Sequence, residues 1–114
     1  MKKDDAVFLR DILDATNYIK GYIARVTYKR FLRNKMVQDA VMRQLEIIGE
    51  AARSVSMDLR RAHPSVEWEK IIGMRNRLIH AYNRVDLDIV WEVVQIDVPS
   101  VERQIEKILK EIAS

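Results

Sequence analysis

The sequence predicts an all-α protein, an up-and-down bundle of four to five helices, from three observations. Only 3 glycines and 2 prolines interrupt the 114 residues. Strong helix formers such as Leu, Ala, Glu, Lys and Arg are abundant. Apolar residues recur at the three-and-four spacing of amphipathic helices. Because 48 % of the residues are hydrophobic and 32 % are charged, the chain can bury one core, and we expect a single domain over residues 1–114.

The first two helices are predicted from apolar spacing and from a capping residue. Apolar side chains recur along one face over residues 5–25, which predicts the first helix. Thr27 can cap the start of a second, short helix that ends near Arg33. Asn34 or Lys35 then marks a turn.

A long third helix is predicted over residues 36–61, because apolar residues repeat along one of its sides. The repeating residues are Val37, Ala40, Val41, Leu45, Ile48, Ala52, Val55 and Leu59. This regular stripe makes the third helix the best candidate for the centre of the core.

Two further helices are predicted in the C-terminal half. Pro64 disfavours helical geometry in the residue before it, and Ser65 can cap a fourth helix over residues 66–82. Asp86 can cap a fifth helix, whose apolar stripe continues to the C-terminus. Pro99 is expected to bend or restart this last helix, since proline lacks a backbone N–H.

Composition narrows the classes of function. The chain contains no cysteine, which excludes disulfides and thiolate catalysis and is compatible with a reducing cytoplasm. The charged N-terminal segment has the pattern of neither a signal peptide nor a membrane span, so we expect a cytoplasmic protein with no membrane partner. The formal net charge of +3 allows partners that carry phosphate without requiring them.

Residues 75–82 hold the side chains best suited to chemistry. On an ideal helix Tyr82 lies about 20° from Arg75 around the axis, Asn76 about 100° and His80 about 140°, so the four residues share one broad arc. Arginine can hold a phosphate through paired donors, and histidine can move a proton near neutral pH. These residue types suit metal-independent RNA cleavage, in which a base activates the 2′-hydroxyl and a cation stabilises the phosphorane.

Each of these residues also has a simpler structural interpretation. Arg75 can be a surface ion-pair partner, His80 a helix C-terminal residue and Tyr82 a half-buried anchor. In a helix Arg75 and His80 are also separated by a rise of about 7.5 Å, which is unfavourable for joint action within one copy. Two copies packed about a two-fold axis would line one cleft with both arginines and both histidines. Formation of a homodimer would therefore resolve the unfavourable separation.

Other polar and aromatic residues are weaker candidates. Glu46 and Glu50 can face the same cleft, but acids four residues apart more often form a solvated or salt-bridged row than a metal site. Trp68 and Trp91 are assigned to packing rather than to base stacking. A basic group can contact RNA or a partner, although a solvated face is its more common role; it comprises Lys29, Arg30, Arg33 and Lys35. We expect no metal and no cofactor.

The spacing of Arg75, His80 and Tyr82, with Asn76 directly after the arginine, resembles the motif of the HepT-like family of HEPN-domain ribonuclease toxins. The resemblance extends over nearly the whole chain, through residues 11–13, 38–41, 45–52, 68, 71–76 and 85–91. One departure is that Asn83 and Arg84 follow Tyr82 where many family members carry an aromatic residue and a glycine.

The resemblance implies a HEPN helical bundle that dimerises around a shared cleft, and a metal-independent endoribonuclease toxin of a type II toxin-antitoxin system. Carried over to this chain, it makes Arg75 and His80 the catalytic pair and Asn76 a supporting polar residue. Tyr82 is the implied acceptor of AMP. The implied partners are an RNA substrate and an MntA-like nucleotidyltransferase antitoxin, which transfers AMP from ATP to the tyrosine and so inhibits the toxin.

A non-catalytic alternative stays open. In it the chain is a helical binding module whose polar arc holds a nucleotide or docks a minimal nucleotidyltransferase. A neighbouring nucleotidyltransferase gene fits both hypotheses, whereas cleavage of RNA by the isolated protein fits only the first.

Overall fold

The computed structural model describes residues 3–80 and 84–113, and of Lys3, Ile79 and His80 it describes the backbone. It confirms the all-α prediction. The described chain forms eight α-helices, which are Lys3–Ile23 (α1), Tyr28–Phe31 (α2), Lys35–Ser54 (α3), Met57–Ala62 (α4), Trp68–Ile72 (α5), Met74–Leu78 (α6), Leu87–Glu92 (α7) and Val98–Ala113 (α8). A π-helical turn, Val93–Asp97, joins α7 to α8, and two short strands, Ile79–His80 (β1) and Arg84–Val85 (β2), pair with each other.

The core lies where α1 packs against α3 and α8. Ile12 and Ile19 of α1, Leu45 and Ile48 of α3, and Ile105 of α8 are each at most 1 % exposed. The apolar stripe predicted for the third helix is buried at its central positions, which confirms that helix as a centre of the core. The short helices α5 and α6 pack against α3. None of the helices in residues 3–80 and 84–113 has the length and apolar character needed to cross a membrane.

The third helix is shorter than predicted, because the chain leaves helical geometry at Val55 (ψ 137°). Ser56 caps the separate helix α4, and its hydroxyl accepts a hydrogen bond from the Leu59 N–H at 3.2 Å. Asp5 of α1 stabilises this break. Its carboxylate accepts the Ser56 N–H at 2.8 Å and the Ser56 hydroxyl at 2.6 Å. The prediction of one helix over residues 36–61 was therefore wrong at its end.

The short second helix confirms the capping role of Thr27, whose hydroxyl accepts a hydrogen bond from the Arg30 N–H at 3.1 Å. Arg25 has a positive φ of 62°, so the first helix ends before it, at Ile23. Asn34 is also a cap: its side chain accepts from the Val37 N–H at 3.1 Å and begins α3.

The predicted fourth helix, residues 66–82, is the largest error. The helix begins at Trp68 without a side-chain cap, so Ser65 does not have the predicted role. Gly73 ends α5 and separates it from α6. Helical structure then stops at Leu78, and the backbone becomes extended over β1.

Cross-strand hydrogen bonding replaces helical bonding beyond Leu78. Ile79 pairs with Val85 and His80 pairs with Arg84 in an antiparallel register. The Asp86 N–H then donates to the Leu78 carbonyl at 2.8 Å. His80 therefore does not follow Arg75 on a helix, and the helical angles predicted for it do not apply. Tyr82 lies outside the described residues.

The last predicted helix starts as expected, since the Asp86 side chain accepts hydrogen bonds from Asp88 N at 3.0 Å and Ile89 N at 3.1 Å. The expected restart near Pro99 takes the form of the π-helical turn, after which α8 begins at Val98. Proline cannot donate the helical hydrogen bond, and a change of hydrogen-bonding pattern before it accommodates this loss.

Candidate functional site

A groove of about 550 Å³ lies between α1, α3 and the α5–α6 segment. Its polar lining comes from three helices. Asp11 belongs to α1, Glu46 and Glu50 to α3, and Arg75 and Asn76 to α6. The two motif residues that the structure describes with their side chains thus line the same concave surface.

Gly49 allows α3 and the end of α5 to lie close together. A Cβ atom at this position would lie 3.3 Å from the Ile72 carbonyl oxygen and 3.6 Å from that of Ile71. Since the carbonyl oxygens are backbone atoms, a side chain here would push the two helices apart. The glycine therefore influences how closely α6, which follows α5 after Gly73, approaches α3.

Arg75 forms an ion pair with α3 across the groove. Its Nε donates to Glu46 Oε1 at 3.2 Å, while 55 % of its side-chain surface is exposed to solvent. Glu46 Oε2 lies 3.7 Å from Arg43 Nη1. One carboxylate thus lies between two guanidinium groups, and the remainder of the Arg75 guanidinium is accessible from the groove.

The next arginine in the helix, Arg77, has a different role. Its Nη2 lies 3.1 Å from Asp97 Oδ2 in the π-helical turn, and it does not line the groove. Asn76, between the two arginines, is exposed and lines the groove with Arg75. The helix α6 is therefore anchored to α3 by Arg75 and to the π-helical turn by Arg77.

Two of the four residues predicted for this site can be compared with the structure. The sequence placed Arg75 and Asn76 together, and they share the groove. The backbone of His80 lies in β1, two residues beyond the end of α6, while its side chain and the whole of Tyr82 are outside the described part of the structure. Their predicted roles remain predictions.

The acidic residues Glu46 and Glu50 of α3 form salt bridges, as predicted from the sequence in preference to a metal site. Glu46 pairs with Arg43 and Arg75, and Glu50 Oε1 lies 3.7 Å from Arg53 Nη1. Within residues 3–80 and 84–113, no group of three or more His, Asp or Glu side chains is arranged to hold a metal ion. The direct contact between Glu46 and Arg75 was not predicted, because the two residues are 29 positions apart.

Both tryptophans have packing roles, as predicted: Trp68 is buried in the core, and Trp91 is half-buried and packs against it. Trp68 is 6 % exposed, and its Nε1 donates to the His63 carbonyl oxygen at 3.1 Å. The Trp91 ring lies 5.2 Å from the Phe31 ring and 5.9 Å from the Tyr28 ring, measured between centroids. The Tyr28 hydroxyl donates a hydrogen bond to Asp88, which raises the pKa of Tyr28. The basic group around α2 is exposed.

Comparison with known proteins gives one family and several relatives. The family model described as "Ribonuclease HepT-like" matches residues 12–108. The chain is 41 % identical over 105 residues to "Putative RNase MJ1380" of Methanocaldococcus jannaschii, covering 92 % of this chain and 96 % of that protein. It is 39 % identical over 110 residues to "Probable ribonuclease HepT" of Thermococcus cleftensis, covering 96 % and 100 %.

A third relative, "Putative RNase TTE0752" of Caldanaerobacter subterraneus, is 33 % identical over 103 residues, covering 90 % of this chain and 92 % of that protein. No solved structure matches the chain with significance.

Proposed function

Because this chain belongs to the ribonuclease HepT-like family, we propose that it is an endoribonuclease that cleaves RNA without a metal ion. The observation that carries the proposal is the exposed Arg75 guanidinium, which lines a groove beside Asn76. Such a guanidinium in a concave site suits a phosphate of the RNA backbone. The names of the relatives as ribonucleases support RNA as the substrate.

The proposed reaction uses Arg75 and His80 as the catalytic pair. His80 accepts the proton of the ribose 2′-hydroxyl, and the 2′-oxygen attacks the adjacent phosphorus. Arg75 stabilises the negative charge that develops on the phosphorane oxygens. The bond from phosphorus to the 5′-oxygen then breaks, and the leaving oxygen takes up a proton from a protonated His80 or from water. The products are a 2′,3′-cyclic phosphate and a 5′-hydroxyl. Asn76 is a supporting polar residue.

We propose that the active form is a homodimer with a HEPN-like fold. The helix α6 has five residues, and a single copy supplies one Arg75 to a groove that is open to solvent. A second copy packed about a two-fold axis would add its own Arg75 and His80 to a shared cleft. Dimerisation would also cover the groove and exclude water, which strengthens electrostatic stabilisation of the transition state.

The proposed biological role is that of a cytoplasmic toxin of a type II toxin-antitoxin system. Its antitoxin would be an MntA-like nucleotidyltransferase that transfers AMP from ATP to Tyr82. An added AMP carries a negative phosphate, which would compete with RNA phosphate for Arg75. In the non-catalytic alternative the chain binds a nucleotide or the partner, and the chemistry belongs to the partner.

Cleavage of RNA in the presence of a chelator tests the proposal. Purified protein is incubated with total RNA and EDTA, beside the double variant Arg75→Ala, His80→Ala. We expect the wild type to cleave and the double variant to lose cleavage. Arg103→Ala is a matched control, because it removes an exposed cation of α8 that does not line the groove. Equal cleavage by wild type and double variant would refute the assignment of the catalytic pair.

A further inference from the structure

We propose that Glu46 is a positioning residue for the proposed ribonuclease reaction, because it orients the Arg75 guanidinium within the groove. The inference rests on the proposed function and adds to it a residue outside the motif. The contact that carries it joins Arg75 Nε to Glu46 Oε1 at 3.2 Å. Glu46 acts through Arg75 and not on the RNA.

Arg75 needs an external contact to hold one orientation. It lies on a helix of five residues, and more than half of its side-chain surface, 55 %, is exposed. An exposed arginine side chain has several rotatable bonds and loses considerable entropy when it is fixed. A guanidinium that samples many orientations stabilises a phosphorane poorly, since stabilisation of the transition state depends on donors that are already in place.

The position of the acceptor on the guanidinium is important. Glu46 accepts the hydrogen bond of Nε, and among the described residues neither Nη1 nor Nη2 of Arg75 donates a hydrogen bond to a protein acceptor. These two nitrogens form the end of the guanidinium that can bind two oxygens of one phosphate. The Glu46 contact thus fixes one edge of Arg75 and leaves another edge for the substrate.

Glu46 is itself well held. It belongs to α3, a helix of 20 residues, and directly follows Leu45, which is 1 % exposed in the core. Its second oxygen, Oε2, lies 3.7 Å from Arg43 Nη1, one helical turn earlier. A carboxylate supported by a buried helix and a second cation is suited to orient a more mobile partner.

If Glu46 acted only through its negative charge, its removal would improve RNA binding and would not slow cleavage. A carboxylate beside a phosphate site repels RNA, so removal of its charge alone would tighten binding and lower KM. A positioning role predicts instead that kcat falls while KM stays constant or decreases. The two effects are therefore separable by measuring kcat and KM.

The kinetic test compares Glu46→Ala with Glu46→Gln under saturating and limiting RNA. We expect Glu46→Ala to lower kcat by about 10- to 100-fold without raising KM, as for other misplaced catalytic groups. Glu46→Gln should keep kcat within about threefold of the wild type, because its amide oxygen can still accept from Nε, although without charge assistance. In an Arg75→Ala background, Glu46→Ala should have no further effect.

Asp39→Ala is the matched control for loss of one negative charge. Asp39 is an exposed residue of the same helix, pairs with Lys35 at 2.7 Å, and does not line the groove. We expect this variant to cleave RNA like the wild type. Unchanged kcat in Glu46→Ala, or a loss that lies entirely in KM, would overturn the positioning role.

A second measurement does not depend on cleavage. The Arg75 Nε–H should exchange slowly with solvent in wild type and Glu46→Gln and quickly in Glu46→Ala, as measured by ¹⁵N NMR. If the wild type fails to cleave RNA, the proposed ribonuclease function is refuted, and with it the catalytic purpose of the contact. If the wild type cleaves but the exchange of Arg75 is the same in all three proteins, the ribonuclease proposal stands and the role of Glu46 is refuted.

Discussion

Arg77 Nη2 and Asp97 Oδ2 lie 3.1 Å apart and connect α6 to the π-helical turn. The two residues are 20 positions apart in sequence, and the ion pair is partly shielded, with 38 % and 23 % of the two side chains exposed. Together with the contact between Arg75 and Glu46, it holds the short helix at both of its sides.

The Arg77 ion pair should contribute modestly to stability. In a double-mutant cycle of Arg77→Ala and Asp97→Ala, we expect a coupling free energy of about 0.5–1 kcal/mol, as for partly exposed pairs. Urea unfolding of the four proteins measures it. A coupling free energy near zero would show that the pair does not hold α6 in solution.

Substitution of Gly49 should separate α3 from α5. In Gly49→Val the added side chain would meet the Ile72 carbonyl, which lies 3.3 Å from an ideal Cβ. We expect a loss of about 1–3 kcal/mol in the free energy of unfolding, as for other overpacked sites, and weaker RNA cleavage because α6 moves with α5.

The matched control for this substitution is Gly21→Ala. A Cβ at Gly21 in α1 meets nothing within 4 Å. This variant should gain about 0.5–1 kcal/mol, since alanine is the better helix former. If Gly49→Val were as stable as wild type, close helix contact at Gly49 would not limit the fold.

The buried carboxylate of Asp5 should be necessary for the break between α3 and α4. Asp5 is 1 % exposed and accepts two hydrogen bonds from Ser56. Asp5→Ala leaves the Ser56 N–H without its acceptor, which should cost about 1–3 kcal/mol in urea unfolding. The exposed neighbour provides the control, because Asp4→Ala should change stability little. Equal effects of the two variants would contradict a structural role for Asp5.

The hydrogen bond between Tyr28 and Asp88 should make stability depend on pH in the alkaline range. It raises the pKa of Tyr28 in the folded protein, first through the hydrogen bond itself and then through desolvation and the charges of Asp88 and Asp86. A raised pKa means that the contribution is complete below the pKa of an unfolded tyrosine, about 10, and is lost as pH rises through the folded value.

Ultraviolet absorbance titration tests this dependence. In Asp88→Asn the pKa of Tyr28 should move back towards that of an ordinary tyrosine, because the anionic acceptor has been removed. Tyr28→Phe identifies which part of the titration belongs to this residue. A titration curve that is the same in wild type and Asp88→Asn would exclude the hydrogen bond in solution.

Tyr82 should accept one AMP when the protein is mixed with its nucleotidyltransferase partner and ATP. Mass spectrometry should locate the added AMP on Tyr82 and show none in Tyr82→Phe. Tyr28→Phe is the control, because the Tyr28 side chain is exposed, 40 % accessible, and lies outside the motif. An active mixture that leaves Tyr82 unmodified would refute the proposed modification.

The helices of the core were predictable because the residues that determine them lie within the same segments of the sequence. The apolar spacing of α3 and the caps Thr27 and Asp86 lie within the segments that they determine. Helix ends set by distant residues were not predictable. The end of α3 at Ser54 is supported by Asp5, 51 positions from its partner Ser56.

The candidate site was predictable in part for the same reason. Arg75 and Asn76 are adjacent, so any local structure places them near each other. Pairing of His80 with Arg84 replaced the helix on which its predicted orientation depended, and no periodicity in the sequence indicates such a pair. Glu46 contributes to the site only through tertiary packing of α6 on α3.

The π-helical turn keeps the apolar faces of α7 and α8 on the same side of the helix. Val90, Val94 and Val98 are all buried at intervals of four residues, and in a regular α-helix each such interval drifts by about 40° from the starting direction. The wider turn absorbs this drift, so that α7 and α8 can both face the core. The number of residues in the turn therefore sets the rotation of α8 about its axis relative to α7. Deletion of one residue from 93–97 would turn the apolar face of α8 by about 100° relative to that of α7.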